Sequence, residues 1–312
     1  MIRALISIGT NSTRLLVLDG DLRVAGESRG TRLGTGIGTT GTIDAVARVR
    51  TLAAVDDYLA IARARGAQVV DAVSTSVLRR ASDGDAFSDE VAARAGVAPR
   101  VLSGEEEAMY SFLGATSLRN GEREIAVLDV GGGSTELAID LPSRARSAGR
   151  VQRTFSLEIG AVRLSERHSA LLGARALQAR QRIALEAEAR ADAAAVLASY
   201  GGVRGFDELI AVGGTVFTAA AMVAGGLRDG ATMSHLERQR LIDALLARDL
   251  NARKALAHIR PQRADILPAG LIVVDEACRL LGIDQLTVSE ADLLLGYLGS
   301  PAYRAVPLPA VP

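Results

Sequence analysis

The fold is decided by the stretch Val127-Leu128-Asp129-Val130-Gly131-Gly132-Gly133-Ser134-Thr135-Glu136-Leu137. An apolar run ends in an acid, three glycines, two hydroxyl residues and a second acid follow, and apolar residues then resume. This order predicts a strand, a tight turn and a second strand. Glycines let the backbone of such a turn take positive φ and bring bare N–H groups close to a ligand.

The composition of the turn is typical of a phosphate-binding loop. Successive backbone N–H groups form a concavity for anions, and the hydroxyls of Ser134 and Thr135 add donors. Asp129 and Glu136 bracket the turn, and carboxylates beside a phosphate site are most simply explained by a hard cation such as Mg2+. An ordinary glycine-rich turn is the alternative interpretation, because isolated glycine motifs are common.

The same unit occurs a second time near the start of the chain. It reads Ile6-Ser7-Ile8-Gly9-Thr10-Asn11-Ser12-Thr13-Arg14-Leu15, which aligns with Leu128 to Leu137 without a gap. A third, looser copy is Ile210-Ala211-Val212-Gly213-Gly214-Thr215. A repeated strand-turn-strand unit indicates a duplicated, two-lobed fold. We expect a cleft between the lobes, with two anion-binding turns that together hold more than one phosphate.

Length and composition set the class of protein. The chain has 312 residues, enough for two domains, with 48% hydrophobic and 23% charged residues, which is typical of a globular protein. No stretch is long enough to cross a membrane, and the first apolar run is too short for a signal peptide, so we expect a cytoplasmic location. A formal net charge of zero argues against a general nucleic-acid binder. The only cysteine, Cys278, lies in an apolar helical pattern that predicts a core position.

Periodicity predicts the longer elements outside the turns. Helices are expected at 43–65, 173–199 and 290–298. Residues 31–41, rich in Gly and Thr, are expected to form a flexible loop, and the Pro-rich tail at 301–312 is expected to fray.

A candidate general base lies in the segment Ser103-Gly104-Glu105-Glu106-Glu107-Ala108. Ser103 and Glu106 have the spacing of a capping box, and Glu105 suits the first turn of a helix, so both acids have a structural explanation. Glu107 lacks one and shares a helix face with the small residues Ser111 and Gly114. It is therefore a candidate base, with an exposed helical glutamate as the alternative.

Two arginines follow the predicted strand at 69–73, in Ser74-Thr75-Ser76-Val77-Leu78-Arg79-Arg80. They are either charges on a helix surface or a phosphate clamp, and the sequence leaves both interpretations open. Other catalytic motifs are missing: there is no G-x-x-x-x-G-K-[ST] loop and no G-x-S-x-G elbow. The histidines are scattered without metal-ligand spacing. They are His168, His235 and His258.

Taken together, these motifs resemble the exopolyphosphatase / guanosine pentaphosphate phosphohydrolase (Ppx/GppA) family over residues 2–298. The matching segments, in family order, are Ile8 to Leu15, Ser74 to Arg79, Ser103 to Ala108, Leu128 to Leu137, Ser156 to Arg163, Ala211 to Thr215, Arg263 to Ile266 and Val288 to Glu290. The resemblance implies an α/β, actin-like ATPase (ribonuclease H-like) fold of two duplicated domains with an interdomain cleft. Domain I would comprise residues 1–120, with a final helix at about 290–312 packing back on it, and domain II residues 121–289. The chain resembles the short type, without the all-helical C-terminal domain of longer relatives.

The resemblance also implies an activity and its residues. The protein would release orthophosphate from inorganic polyphosphate, from guanosine penta- or tetraphosphate, or from both, using Mg2+ or Mn2+, and a homodimer is suggested. Glu107 would activate the attacking water, Arg79 would lie near the phosphates, and Glu136 would act with Asp129 on the metal side. The implied phosphate-binding residues are Gly9, Thr10, Asn11, Ser12, Thr13, Arg14, Gly131, Gly132, Gly133, Ser134, Thr135, Gly213, Gly214 and Thr215.

One position departs from the family pattern. The first loop of the family usually begins with Asp, and this chain has Ser7, at the position that Asp129 occupies in the second copy. A hydroxyl can still contact a metal-bound water, but it brings no charge, so we expect Ser7 to weaken Mg2+ binding or to change the preferred metal. A sensor that binds polyphosphate or a nucleotide without hydrolysing it is the alternative. A sugar-kinase-like phosphotransferase is a third hypothesis, on fold grounds only.

Overall fold

The computed structural model describes residues 1–117, 124–140, 153–226 and 228–309. Contacts divide the chain into two compact units: unit 1 is Met1–Glu107 with Leu294–Pro312, and unit 2 is Ala108–Leu293. The sequence-based boundary at 120/121 lies outside the described residues and 13 positions beyond the division by contacts, which falls inside a helix. No helix of the described residues is long and apolar enough to span a bilayer.

The regular elements are numbered along the chain. The strands are β1 (Ile2–Ile8), β2 (Thr13–Asp19), β3 (Leu22–Arg29), β4 (Val69–Ser74), β5 (Arg100–Val101), β6 (Ile125–Val130), β7 (Thr135–Ile139), β8 (Arg153–Leu157), β9 (Glu208–Val212), β10 (Thr232–Ser234), β11 (Gln285–Val288) and β12 (Val306–Pro307). The helices are α1 (Ile37–Thr40), α2 (Ala45–Ala64), α3 (Ser76–Arg80), α4 (Gly84–Ala95), α5 (Gly104–Thr116), α6 (Ala161–Arg167), α7 (Ala179–Val196), α8 (Gly214–Ala224), α9 (His235–Leu246), α10 (Leu250–Lys254), α11 (Leu267–Leu281) and α12 (Leu293–Leu298).

Unit 1 is built on a sheet with the strand order β12-β4-β1-β2-β3, and β5 pairs with β4. The central strand β1 is antiparallel to β2 and parallel to β4. Its residues from Ala4 to Ile8 are buried, because helices and loops cover both faces of the sheet. Helix α2 begins at Asp44, whose carboxylate accepts a hydrogen bond from the backbone N–H of Ala47 at 2.9 Å. The helix packs Val55, among other residues, into the core of this unit.

Unit 2 repeats this arrangement. Its sheet has the order β10-β11-β9-β6-β7-β8, and its central strand β6 is antiparallel to β7 and parallel to β9. Helix α11 is buried along nearly its whole length and forms much of the core. Cys278 lies in this helix and is fully buried, and burial raises the pKa of its thiol to about 12. The predicted core position of this cysteine is confirmed, and so is the predicted duplication of the sheet.

Two predicted elements differ from the structure. The predicted flexible loop at 31–41 contains the short helix α1, which is bounded by Gly36 and Gly41, both with positive φ. The predicted helix at 173–199 is regular only over α7, with a 3-10 turn on either side. It begins after Gln178, which forms a capping box with Gln181, and local capping of this kind outweighs the helix propensity of the preceding residues.

The C-terminal tail contradicts the expectation of fraying. The final helix, predicted over 290–298 and implied by the resemblance to continue to about 312, runs only from Leu293 to Leu298. Strand β12 then pairs antiparallel with β4. Asp71, which is fully buried, accepts hydrogen bonds from the guanidinium Nε of Arg304 at 2.8 Å and from the hydroxyl of Tyr297 at 3.0 Å. A buried carboxylate is costly unless it is paired, and the tail supplies the cation. Residues 310–312 of the predicted tail lie outside the described residues.

Candidate phosphate and metal site

The two glycine turns have the same backbone. In the first turn, the N–H of Gly9 donates to the carbonyl oxygen of Ser12 at 2.9 Å. In the second, the N–H of Gly131 donates to the carbonyl oxygen of Ser134 at 3.0 Å. A Cβ on either glycine would lie 3.1–3.2 Å from that carbonyl oxygen, so the turn is tight at the same atom in both copies. The gapless alignment of the two motifs therefore corresponds to one shared geometry.

A buried tyrosine supports each turn from behind. The hydroxyl of Tyr58 donates to the carbonyl oxygen of Thr13 at 3.0 Å, and the hydroxyl of Tyr200 donates to that of Thr135 at 3.2 Å. Burial raises the pKa of Tyr58 to about 12 and that of Tyr200 well above its ordinary value, with a further rise from nearby negative charge in unit 2. Both tyrosines are therefore neutral donors at any physiological pH.

A following segment closes over each turn, and the contacts of the first turn come from residues 32–34. The N–H of Arg32 donates to the carbonyl oxygen of Asn11, and the N–H of Gly34 donates to that of Thr10, both at 2.9 Å. A Cβ on Gly34 would lie 2.4 Å from the methyl group of Thr10. The closest contact at the first turn is thus with a side chain, that of Thr10.

The second turn is closed by the start of α6. The N–H of Ala161 donates to the carbonyl oxygen of Gly131 at 3.0 Å, and the N–H of Val162 donates to that of Gly132 at 2.9 Å. A Cβ on Gly160 would lie 2.7 Å from backbone atoms of both turn glycines. Because backbone cannot rotate away, only glycine fits at position 160.

The side chains that flank the turns differ in charge. Asp129 and Glu136 are direct cross-strand partners in β6 and β7. Oδ2 of Asp129 accepts a hydrogen bond from the hydroxyl of Ser111 at 2.7 Å, and Oε1 of Glu136 accepts one from the hydroxyl of Ser156 at 2.9 Å. At the equivalent register of unit 1, Ser7 faces Arg14. The first turn is therefore flanked by a hydroxyl and a cation, and the second by two acids at the equivalent positions.

This pair of acids fits a divalent cation. Like charges directly opposite each other on a sheet are destabilising, and a bound cation removes that repulsion. Among the described residues, no group of three or more His, Cys, Asp or Glu side chains could hold a metal ion. Mg2+ at a phosphate site, however, is commonly held by one or two carboxylates together with phosphate oxygens and water. Asp129 and Glu136 supply that number of carboxylates beside an anion-binding turn.

The third glycine turn lies beside Asp129. Gly213 has φ +94, and a Cβ there would lie 2.8 Å from Oδ1 of Asp129. The turn leads directly into α8, whose N-terminal end favours negative charge nearby. A Cβ on Gly214 would lie 2.1 Å from the guanidinium carbon of Arg263. Arg263 therefore covers this turn, a position that sequence reasoning did not assign, although the residue lies in a segment that matches the family.

Glu107 is buried in unit 1, with 5% of its surface exposed. Nη1 of Arg79 donates to Oε1 of Glu107 and to the carbonyl oxygen of Leu102, the latter at 2.5 Å. Glu107 is therefore not the exposed helical glutamate of the alternative interpretation. Of the two arginines, Arg79 turns inward and Arg80 is exposed, so an exposed surface charge describes only Arg80.

The predicted capping box next to Glu107 is confirmed. The N–H of Ser103 donates to the carboxylate of Glu106 at 2.9 Å, and the N–H of Glu106 donates to the hydroxyl of Ser103 at 3.2 Å. Glu105 accepts from the same hydroxyl at 2.9 Å, and hydrogen bonds to backbone and to Ser103 lower the pKa of its carboxyl. These two acids have structural roles, which leaves Glu107 as the acid of this segment that pairs with Arg79.

Each unit thus gathers its own set of predicted residues. In unit 1, the N–H of Thr75 donates to the carbonyl oxygen of Ile8 at 3.3 Å, which ties the start of α3 to the end of β1. The first turn and the Arg79–Glu107 pair therefore belong to the same end of one sheet. In unit 2, the second turn, the third turn and the acids Asp129 and Glu136 lie together.

Comparison with known proteins agrees with these features. The model of the Ppx/GppA phosphatase family matches residues 20–300. Exopolyphosphatase 2 of Mycobacterium tuberculosis is 34% identical, with 94% of this chain and 96% of that protein covered. The guanosine-5'-triphosphate,3'-diphosphate pyrophosphatase of Vibrio atlanticus is 28% identical over 94% of this chain, which spans only 58% of that protein. The crystal structure of an exopolyphosphatase-like protein superimposes with a TM-score of 0.85 at 29% identity, covering 97% of this chain and 99% of that one.

The fold and the site define a two-unit α/β protein with a glycine turn repeated in equivalent positions of its two sheets. The chain belongs to the Ppx/GppA phosphatase family. The predicted fold class, the duplicated actin-like ATPase (ribonuclease H-like) fold, is confirmed by the structural matches and by the two equivalent sheets.

Proposed function

We propose that this protein hydrolyses terminal phosphoanhydride bonds and releases orthophosphate from inorganic polyphosphate, from pppGpp, or from both. The observation that carries the proposal is the acid pair Asp129 and Glu136, placed in register on either side of an anion-binding turn. Relatives named exopolyphosphatase and guanosine-5'-triphosphate,3'-diphosphate pyrophosphatase support the substrate class.

In this proposal the glycine turns bind phosphate. Backbone N–H groups of the turns and the hydroxyls of Ser12 and Ser134 are donors suited to phosphate oxygens. The predicted donors Thr13 and Thr135 have other partners, because the hydroxyl of Thr135 donates to the carbonyl oxygen of Ile159 at 2.6 Å and that of Thr13 lies 2.7 Å from the hydroxyl of Thr31. Arg14, beside the first turn, adds positive charge. Gly213 to Thr215, at the start of α8, extend the same chemistry to the third turn.

Asp129 and Glu136 would hold Mg2+ or Mn2+, with Ser7 as a weak, uncharged contributor. A divalent cation stabilises the negative charge that develops on a transferring phosphoryl group. The serine partners of the two acids orient their carboxylates through one hydrogen bond each.

Glu107 is the proposed general base. Its carboxylate takes a proton from water as the water oxygen bonds to the terminal phosphorus, and the bond from phosphorus to the bridging oxygen breaks. The products are orthophosphate and a chain shorter by one phosphate. Arg79 restricts the orientation of the Glu107 carboxylate, and its guanidinium is also suited to phosphate oxygens.

Phosphate release tests the proposal directly. The substrates are long-chain polyphosphate, pppGpp and ATP, each with Mg2+ and with Mn2+. We expect Glu107→Gln to lower kcat by about 10²–10⁴-fold, the usual contribution of a general base. Glu105→Gln is the matched control, because Glu105 is an exposed acid two residues earlier in the same helix, and we expect it to retain activity. Undiminished release by Glu107→Gln would reject this residue as the base.

A sensor is the second candidate, and Ser7 is the observation that favours it. A missing acid in the first turn removes charge from the metal side of the site. The same assay separates the two functions when polyphosphate binding is measured in parallel. Tight binding without phosphate release by the wild type, under either metal, would favour the sensor over the hydrolase.

A further inference from the structure

We propose that Ser111 is a positioning residue, which fixes the carboxylate of Asp129 in the orientation that binds a divalent cation. The inference rests on the proposed function, because it assigns a second residue to the metal side of the same site. Ser111 is 1% exposed, and its hydroxyl lies 2.7 Å from Oδ2 of Asp129.

The two oxygens of Asp129 have different surroundings. Oδ2 takes the hydrogen bond from Ser111, whereas Oδ1 lies on the side of Gly213, where a Cβ would approach it to 2.8 Å. Ser111 thus holds one oxygen, and glycine at position 213 avoids a close Cβ contact with the other. A carboxylate held through one oxygen has a restricted orientation.

Orientation matters more at this site than at one rich in ligands. Mg2+ requires near-ideal octahedral geometry, and its protein ligands here are two carboxylates. Because Asp129 and Glu136 are the two carboxylates of this turn, a misplaced Asp129 leaves one of them correctly oriented. Partners that orient metal ligands typically change metal affinity by about 10–100-fold when removed.

A purely structural role is the competing explanation, since the same hydrogen bond ties α5 to β6. The chain offers a matched control for it. Ser165 is also 1% exposed, and its hydroxyl donates to the carbonyl oxygen of Ala161 at 2.7 Å. Loss of that hydroxyl removes a buried hydrogen bond of the same length without touching an acid.

The experiment titrates the full-length protein with Mn2+ alone and follows free Mn2+ by electron paramagnetic resonance. We expect Ser111→Ala to raise the Kd for Mn2+ about 10-fold or more, while Ser165→Ala binds as the wild type does. Ser111→Thr, which keeps the hydroxyl, should restore binding, and Ser111→Cys, a weaker donor, should be intermediate. In phosphate release, Ser111→Ala should raise the Mg2+ concentration for half-maximal activity more than it lowers kcat at saturating Mg2+.

Wild-type Mn2+ affinity in Ser111→Ala would overturn the inference, as would an equal loss in Ser165→Ala or an absence of Mn2+ binding by the wild type. If Ser111→Ala does not fold, the Cys and Thr variants decide: equal affinity in both contradicts the role of the hydroxyl donor. A wild type that binds Mn2+ but releases no phosphate would reject the proposed function alone. An active wild type whose metal dependence is unchanged by Ser111→Ala would reject the positioning role alone.

Discussion

The first and second glycine turns share a backbone and differ in charge. Both are closed by a glycine N–H bonded to the carbonyl oxygen three residues on, and both are supported by a buried tyrosine. At equivalent register positions, however, unit 1 pairs Ser7 with Arg14, and unit 2 pairs Asp129 with Glu136. The two turns thus share a backbone, whereas the charges of their flanking side chains favour an anion beside the first turn and a cation beside the second.

The side-chain oxygens near the first turn that could contact a cation carry no charge. They include the hydroxyl of Ser7 and Oδ1 of Asn11, a buried acceptor without a hydrogen-bond partner among the described residues. Neutral oxygens can contact a hydrated cation but do not offset its charge. The carboxylates of the second turn do, which is why we assign the metal mainly to unit 2.

The largest difference between the turns should appear when each loses its metal-side residue. Asp129→Asn removes a charge that a divalent cation needs, and we expect kcat/KM for polyphosphate to fall by about 10²–10⁴-fold, as expected for a loss of several kcal/mol. Ser7→Ala removes a neutral contact, so the expected loss is about 2- to 10-fold. Steady-state phosphate release at fixed Mg2+ measures both, and comparable losses would mean that the turns are functionally equivalent.

The segments that close the turns should respond differently to the same added methyl group. Gly160→Ala forces a Cβ against backbone of the second turn and should cost about 1–3 kcal/mol of strain. In Gly34→Ala the new atom meets mainly the methyl group of Thr10, and we expect a smaller cost, about 0.5–1.5 kcal/mol, for displacing that side chain from its rotamer. Thermal unfolding together with KM for polyphosphate measures both effects, and a larger change in Gly34→Ala would contradict the closure described here.

Restoring the missing acid should make the turns more alike. Ser7→Asp adds a charge at the position of Asp129 in the other copy, and Arg14 faces it across the strands. Because that arginine offsets part of the added charge, we expect the Mg2+ concentration for half-maximal activity to fall by only about 5-fold, or ~1 kcal/mol. A Mg2+ titration of phosphate release checks this, and a rise in the required concentration would count against a metal contact at position 7.

The smallest expected effect is a loss of stability that should be equal in the two turns. Tyr58→Phe and Tyr200→Phe each remove one hydrogen bond to a turn carbonyl, and each should lower stability by about 1 kcal/mol. Because burial raises the pKa of both phenols, the difference from wild type should not change between about pH 6 and pH 9, which lies below the ordinary tyrosine pKa of about 10. Unfolding midpoints at several pH values test this, and a loss confined to one variant would show that the turns are supported differently.

The sequence was sufficient to predict what is local. The strand-turn-strand units, the capping box of Ser103 and Glu106, and the ends of most strands depend on residues within a few positions of each other. The repeat also predicted a feature of the tertiary structure, because two aligned copies are expected to share one backbone geometry. The alignment alone was enough to compare the uncharged Ser7 with the charged Asp129 at equivalent positions.

Contacts between distant segments could not be predicted in the same way. Arg79 meets Glu107 across 28 residues, and Arg304 meets Asp71 across 233. The sequence characterises Ser111 only as a small residue on the helix face of Glu107. Nothing in the neighbouring sequence indicates that its hydroxyl donates a hydrogen bond to Asp129. The tail was predicted to fray since its composition favours fraying, whereas the pairing of β12 with β4 and the ion pair of Arg304 with Asp71 hold it in place.

The asymmetry between the turns is tested most directly by metal affinity. Mg2+ binding is measured by calorimetry in the presence of polyphosphate, with every variant carrying Glu107→Gln so that the polymer stays intact. We expect Asp129→Asn to weaken Mg2+ binding by about 100-fold or more, and Ser7→Ala by no more than about 10-fold. Equal weakening by the two substitutions, or a greater loss in Ser7→Ala, would contradict the assignment of the metal to unit 2.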